Sequence, residues 1–210
     1  MKRALILANG KPPSKRLFQK YLRSADCFIC ADGGANTAAR FGSTPHLIIG
    51  DLDSVRTGTL IEFKKVKVKK LKDQNSTDLE KALTAALQNK CTEIVALGAT
   101  GGRLDHAVGN LSALTKFSRR TNIKFADDTG EFLPVRHVFK AMLPVGTGIS
   151  LLPLTSCSGI VTKGLKWNLK NQTLQLGIRE STSNITVLPQ ISVKVGSGSL
   201  IIFVMNKQRS

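Results

Sequence analysis

Asp51 and Asp53, in Gly50-Asp51-Leu52-Asp53-Ser54, are the residues of this chain best placed to do chemistry. They follow the apolar run Leu47-Ile48-Ile49, which reads as the end of a buried strand. Two carboxylates at i and i+2, just past a strand end, can converge on one point, and Gly50 lets the backbone turn sharply before them. That arrangement suits a hard divalent cation held near phosphate oxygens. A strand-to-helix turn capped by an Asp or Ser is the plain structural alternative.

Three further loops have the same character. Asp32-Gly33-Gly34 follows the apolar Cys27–Ala31, and Asp73 to Asp78 precedes a strong helical pattern. Gly98-Ala99-Thr100-Gly101-Gly102-Arg103-Leu104-Asp105-His106 follows Ile94-Val95-Ala96-Leu97. Of the acids up to residue 126, only Asp26, Glu62, Glu80 and Glu93 lie outside these four motifs. In a parallel α/β sheet the tips after the strands share one edge, where ligands bind. Arg103 offers several donors to phosphate or a face for a base. His106 reads equally well as a ligand contact or as a capping or core residue. The glycine loop lacks the Lys-Ser/Thr ending of a P-loop and is not a GxGxxG dinucleotide fingerprint.

The elements that must hold these loops alternate. Strands are expected at residues 3–8, 26–31, 46–49, 65–69 and 92–97, with helices over 14–23, 35–41, 57–63, 77–87 and 104–119. Thr77 and Glu80 have capping-box spacing, and Asp78 complements the helix dipole. A helix N-terminus also receives phosphate, so both roles coexist at Thr77 and Asp78. Leu104, Val108, Leu111 and Leu114 are the expected inward face of the last helix. The alternation predicts a doubly wound, mostly parallel α/β sheet over residues 1–130. From 131 to 210 short apolar runs separated by Gly, Ser, Asn and Pro predict a small all-β sandwich.

The net charge of +17 admits nucleic acid or an acidic membrane surface as a partner. The densest run, Lys64 to Lys72, alternates Lys with Val around Val66 and Val68 and reads as a lysine-protected edge strand. No aromatic interleaves with it, which removes the stacking half of a single-strand site. Cys27 and Cys30 have CxxC spacing but fall on opposite faces of a strand; all four cysteines read as buried thiols. No apolar run reaches the ~20 residues of a membrane span, and the expectation is a soluble, cytoplasmic protein.

These motifs, in this order, resemble the thiamine pyrophosphokinase family. Ala31–Asn36, Gly50–Ser54, Asp73–Leu79 and Gly98–His106 carry the likeness, together with Gly164–Leu169 and Ser181–Asn184. The resemblance implies an N-terminal nucleotide-binding domain, a C-terminal thiamine-binding sandwich, and a homodimer with the thiamine site near the subunit interface. It implies pyrophosphoryl transfer from ATP to thiamine with Mg²⁺, releasing AMP. Asp51, Asp53 and Asp73 would hold the metal and, with Asp105, form the catalytic set. Asp32, Asn36, Thr77, Asp78, Gly101, Gly102, Arg103 and His106 would bind ATP. Ser181, Ser183 and Asn184 would hold the aminopyrimidine. Trp167 would pack on a ring, with a core Trp as its alternative. The chain departs from the family at Asn75, usually Asp, which keeps an oxygen but loses a charge. A non-catalytic thiamine- or nucleotide-binding regulator, and more remotely a basic nucleic-acid binder, are the competing readings.

Overall fold

The structure is a computed structural model that describes residues 1–73 and 75–206. Gln74, inside the acidic motif 73–78, lies outside the described residues. The chain separates into a unit of Met1–Asp128 and a unit from Thr129 onward.

In the first unit, β1 (Arg3–Leu7), α1 (Lys15–Leu22), β2 (Cys27–Ala31), α2 (Gly34–Arg40), β3 (Leu47–Gly50) and α3 (Thr57–Glu62) follow one another. They continue into β4 (Lys67–Lys70), α4 (Asp78–Gln88), β5 (Glu93–Leu97), α5 (Leu104–Ser118) and β6 (Asn122–Ala126). Within this unit the strand order is β6-β5-β1-β2-β3-β4, and every pairing is parallel. β2 and β3 are buried along their whole length, as unbroken apolar runs in a two-sided parallel sheet should be. Phe18 of α1 meets Phe28 of β2 edge-on, ring centroids 5.5 Å apart, inside a core shared with Leu5, Leu7 and Ile48. β4 is an edge strand exposed along its length, as its lysines require. From β1 the chain winds outward through β2, β3 and β4. It then returns to the other side of β1 at β5. The strand order therefore reverses between β1 and β5, and a ligand crevice belongs at the carboxyl ends of the strands there.

α4 begins where the capping box predicts. Thr77 Oγ1 accepts from Glu80 N at 3.2 Å, and Glu80 Oε2 accepts from Thr77 N at 3.1 Å. Glu80 also receives Lys116 of α5 at 2.9 Å. Thr77→Ala is expected to cost about 1 kcal/mol, read as a lower urea midpoint at unchanged m-value. One packing expectation holds only in part. Leu104 and Val108 are 78% and 58% exposed and Leu111 is half-buried; of the expected face Leu114 is buried, together with Ala113, Phe117 and Ser118. Burial is confined to the C-terminal half of the helix; its first turns project beyond this unit's core.

Among the described residues the second unit contains eight strands: β7 (Gly130–Val135), β8 (Val138–Met142), β9 (Gly148–Pro153), β10 (Cys157–Lys163), β11 (Gln172–Leu174), β12 (Ser181–Ile185), β13 (Gln190–Lys194) and β14 (Leu200–Met205). Two antiparallel sheets, β12-β9-β14-β7 and β11-β10-β13-β8, enclose one apolar core. Ile149, Leu151, Ile202 and Leu200 from one sheet meet Ile160, Leu174, Ile191 and Val193 from the other. This is the predicted sandwich. Among the described residues no helix is long and apolar enough to cross a membrane.

Candidate active site

A cleft of about 600 Å³ opens at the carboxyl edge of the first unit's sheet. The segments after β1, β2, β3, β4 and β5 all contribute to its wall. Its centre is acidic. Carboxylate oxygens of Asp32, Asp51 and Asp78 lie within 4.8 Å of one another. Each comes from a different segment, and glycines allow the approach. A side chain at Gly50 would meet Asp32 Cβ at 3.0 Å and Asp78 Oδ1 at 3.1 Å. Asp32 itself adopts φ 44 and Leu52 φ 66, so the chain turns tightly on both sides of the cluster.

This cluster differs from the expected metal set in two members. Asp53 lines the same cleft, but its Oδ1 accepts from Ser54 Oγ at 2.9 Å, and its backbone N donates to Asp51 Oδ1 at 3.3 Å. Asp73 also lines the cleft. There its Oδ1 accepts from Asn75 N at 3.0 Å and Nδ2 at 3.1 Å, and its Oδ2 accepts from Ser76 Oγ at 2.7 Å. Those donors, the Asn75 amide first, hold the Asp73 carboxyl below its usual range. Asn75 therefore acts as a donor to Asp73, where an Asp side chain would repel it.

Asp32 is 4% exposed. Burial pushes its carboxyl up, partly offset by backbone hydrogen bonds, with the Asp78 charge adding to the rise. A carboxyl bound more tightly to its proton in the folded state lowers stability as pH rises from the ordinary value of 3.8 through the raised one. The cost persists at neutral pH. Asn accepts the same Ser54 N–H and tolerates positive φ. Asp32→Asn, in chelator at pH 7, is therefore expected to stabilise the fold by about 1 kcal/mol. A lower melting temperature than wild type would contradict this.

The other expected residues separate into those that face the cleft and those that brace it. Gly101, Gly102, Arg103, His106, Thr77 and Asp78 line it. Gly101 and Gly102 both adopt φ 74, the conformation glycine is needed for. Asn36 does not line it. Its Oδ1 accepts from Arg56 N at 3.0 Å and Thr59 Oγ1 at 2.8 Å, and its Nδ2 donates to Ser54 O at 2.8 Å, which ties down the Asp51–Asp53 loop. Asp105 is also outside the lining. It pairs with Arg103 at 2.6 Å on the surface, and that guanidinium lowers its carboxyl to about 2. The lining also includes residues outside the expected site set, among them Asn9, Lys81 and Asn110. Asn110 Nδ2 donates to Ala99 O at 2.8 Å and so pins the glycine loop. Lys81 is 7% exposed and its Nζ donates to Asp78 Oδ1 at 2.9 Å. Its spacing of three from Asp78 on a helix was the available signal.

In the second unit Trp167 is 56% exposed, so it is not a core residue. Lys166 Nζ stands 4.7 Å from its ring centroid. Asn184 is buried, and its amide is committed to this loop: Oδ1 accepts from Trp167 N at 3.2 Å and Nδ2 donates to Trp167 O at 2.8 Å. The β12–β9 register shifts between Ser181 and Asn184, and Ser183 adopts φ 59 inside that irregularity. Such a bulge re-aims side chains. It leaves Ser183 exposed and Ser181 half-buried.

A doubly wound α/β unit with a carboxylate cluster and a glycine loop at its switch point has the residue types and placement that suit phosphate and a cation. The comparisons are specific about which. Residues 18–126 match the model of the thiamin pyrophosphokinase catalytic domain, and residues 136–200 match the thiamin pyrophosphokinase vitamin B1 binding domain. Thiamine pyrophosphokinase 3 of Oryza sativa subsp. japonica is 32% identical over 97% of this chain and 86% of its own length. Thiamine pyrophosphokinase from Bacillus subtilis superposes with a TM-score of 0.82 at 25% identity, covering 98% of this chain and all of the other. Thiamin pyrophosphokinase from Candida albicans shares the fold with a TM-score of 0.87 at 16% identity, over 98% of this chain and 89% of the other. The chain belongs to the thiamine pyrophosphokinase family.

Proposed function

We propose that the acidic cleft of the first unit is where this enzyme binds ATP and that Ser181, Ser183 and the Trp167 loop receive thiamine. The enzyme transfers a pyrophosphoryl group from ATP to the hydroxyl of thiamine, giving thiamine diphosphate and AMP. The thiamine hydroxyl oxygen bonds to the β-phosphorus, and the bond from that phosphorus to the α-bridging oxygen breaks. The observation that carries the reading is the convergence of Asp32, Asp51 and Asp78 over Gly50.

Three carboxylates from three segments form an all-oxygen, anionic donor set, which fits Mg²⁺. Asp51, Asp32 and Asp78 would hold the ion, with Asp53 and Asp73 beside them on the cleft wall. Bound there, Mg²⁺ supplies positive charge against the triphosphate. The protein's own contribution is positioning and electrostatics. Backbone N–H groups of the Gly98–Gly102 loop face the phosphates, and Arg103, aligned by Asp105, adds a planar donor fork. Thr77 and Glu80 fix the start of α4, and Asn36 fixes the loop bearing Asp51 and Asp53. A cleft carboxylate accepts the hydroxyl proton as the oxygen bonds to phosphorus. In the second unit Ser181 and Ser183 offer hydroxyls to the aminopyrimidine. Asn184 supports them by holding the Trp167 backbone, and the Trp167 face suits a cationic thiazolium. The reading includes a homodimer with the thiamine site near the subunit interface, and a cytoplasmic location.

The test is product identity. Purified protein with ATP, Mg²⁺ and thiamine should form AMP and thiamine diphosphate in equal amounts. ADP with thiamine monophosphate would overturn the mechanism. Thiamine binding with no product would favour a regulator.

A further inference from the structure

Lys81 is a charged residue in an unfavourable place. Its side chain is 6% exposed in the wall of an acidic cleft. A buried ammonium is retained only where its charge and its hydrogen atoms have partners. Lysine carries three donors. One meets Asp78 Oδ1 at 2.9 Å, and among the described residues that is its one hydrogen bond. Among the described residues its other two N–H groups have no protein acceptor in the cleft wall. The local charge points the same way. Asp32, Asp51 and Asp78 sum to −3, and Lys81 brings the cluster to −2, which a single divalent cation neutralises. Without Lys81 the loaded site would still repel a polyphosphate.

We propose that Lys81 is a further substrate-contacting residue: one ammonium N–H holds Asp78, and the other two bond oxygens of the β- and γ-phosphates of the bound nucleotide. The inference rests on the cleft being the nucleotide site. It explains why α4 carries a lysine among Leu79, Ala82 and Leu83, all buried. It also gives the N-terminal turns of this 11-residue helix a direct part in anion binding.

The experiment is calorimetric titration, in Mg²⁺, of α,β-methylene ATP and of AMP into wild type, Lys81→Met, Lys81→Arg and the double variant Asp78→Asn/Lys81→Met. Lys81→Met should weaken the triphosphate analogue by about 30-fold or more, since two charged hydrogen bonds are lost, and AMP less than twofold. Lys81→Arg should recover most of that loss. The double variant should stay weak, because removing the Asp78 charge does not replace the phosphate contact. Recovery of affinity in the double variant would overturn the proposal, since Lys81 would then serve only to offset Asp78. Equal losses for AMP and the analogue, or no loss, would also overturn it. Lys81→Gln gives the same comparison should the Met variant not fold. Mn²⁺ binding without nucleotide, followed by electron paramagnetic resonance, should not weaken in Lys81→Met; weaker binding would make Lys81 a support for the cation instead. Failure of wild type to form AMP and thiamine diphosphate would refute the enzymatic reading, while the analogue-to-AMP ratio still decides Lys81.

Discussion

Asp51→Asn is expected to lower thiamine diphosphate formation about a thousandfold while leaving the melting temperature within a few degrees of wild type. Carboxylate oxygens of Asp51, Asp32 and Asp78 lie within 4.8 Å of one another. It is half-buried, and the turn around it is held independently by Asn36 through Ser54, Arg56 and Thr59. Asn keeps the shape and can still accept from Asp53 N. What disappears is one charge from a set that must oppose a cation and order a triphosphate. Loss of charge from like-charged neighbours does not harm the fold, so activity and stability should separate. A loss below tenfold, with AMP still formed, would remove Asp51 from the site.

Gly34→Ala should have the largest effect on stability, about 3 kcal/mol. Gly34 opens α2, and a Cβ there would run into the carbonyl oxygen of Leu7 at the end of β1. Backbone is not a flexible obstacle, so either α2 or the central strand must shift. Asp32 lies two residues before Gly34 and moves with it, so nucleotide affinity should fall with stability. Gly58→Ala is the control. It sits in α3 with open space around the added methyl, and its stability should stay within about 1 kcal/mol of wild type. Urea unfolding of both variants decides the matter. Equal midpoints would mean that α2 does not need its close seat on β1.

Much of this was legible in the sequence because the signals were local. Thr77 and Glu80 announce α4 by spacing alone, and the unbroken apolar runs before Asp32 and Asp51 announce parallel strands. Their tips then share an edge as a matter of topology. The partners of each acid were less legible, because convergence depends on backbone turns. Asp53 is two residues from Asp51 in sequence, yet the acids whose oxygens converge with those of Asp51 are Asp32 and Asp78, which arrive from other segments. Asn184 has the composition of a ligand contact, but burial turns its amide onto the Trp167 backbone. Leu104 and Val108 keep a helical period without a core to face, since periodicity states which residues share a side and not what that side meets. Asn75 reads in sequence as an oxygen ligand that has lost its charge, and in structure it donates to Asp73.

Asp32, Asp51 and Asp78 are proposed to hold a divalent cation together. The most direct measurement is Mn²⁺ titration by electron paramagnetic resonance on wild type, Asp51→Asn, Asp78→Asn and Asp53→Asn, without nucleotide. Binding should weaken at least tenfold in the first two variants and far less in Asp53→Asn. Equal binding in wild type and Asp51→Asn, or a loss confined to Asp53→Asn, would contradict the account.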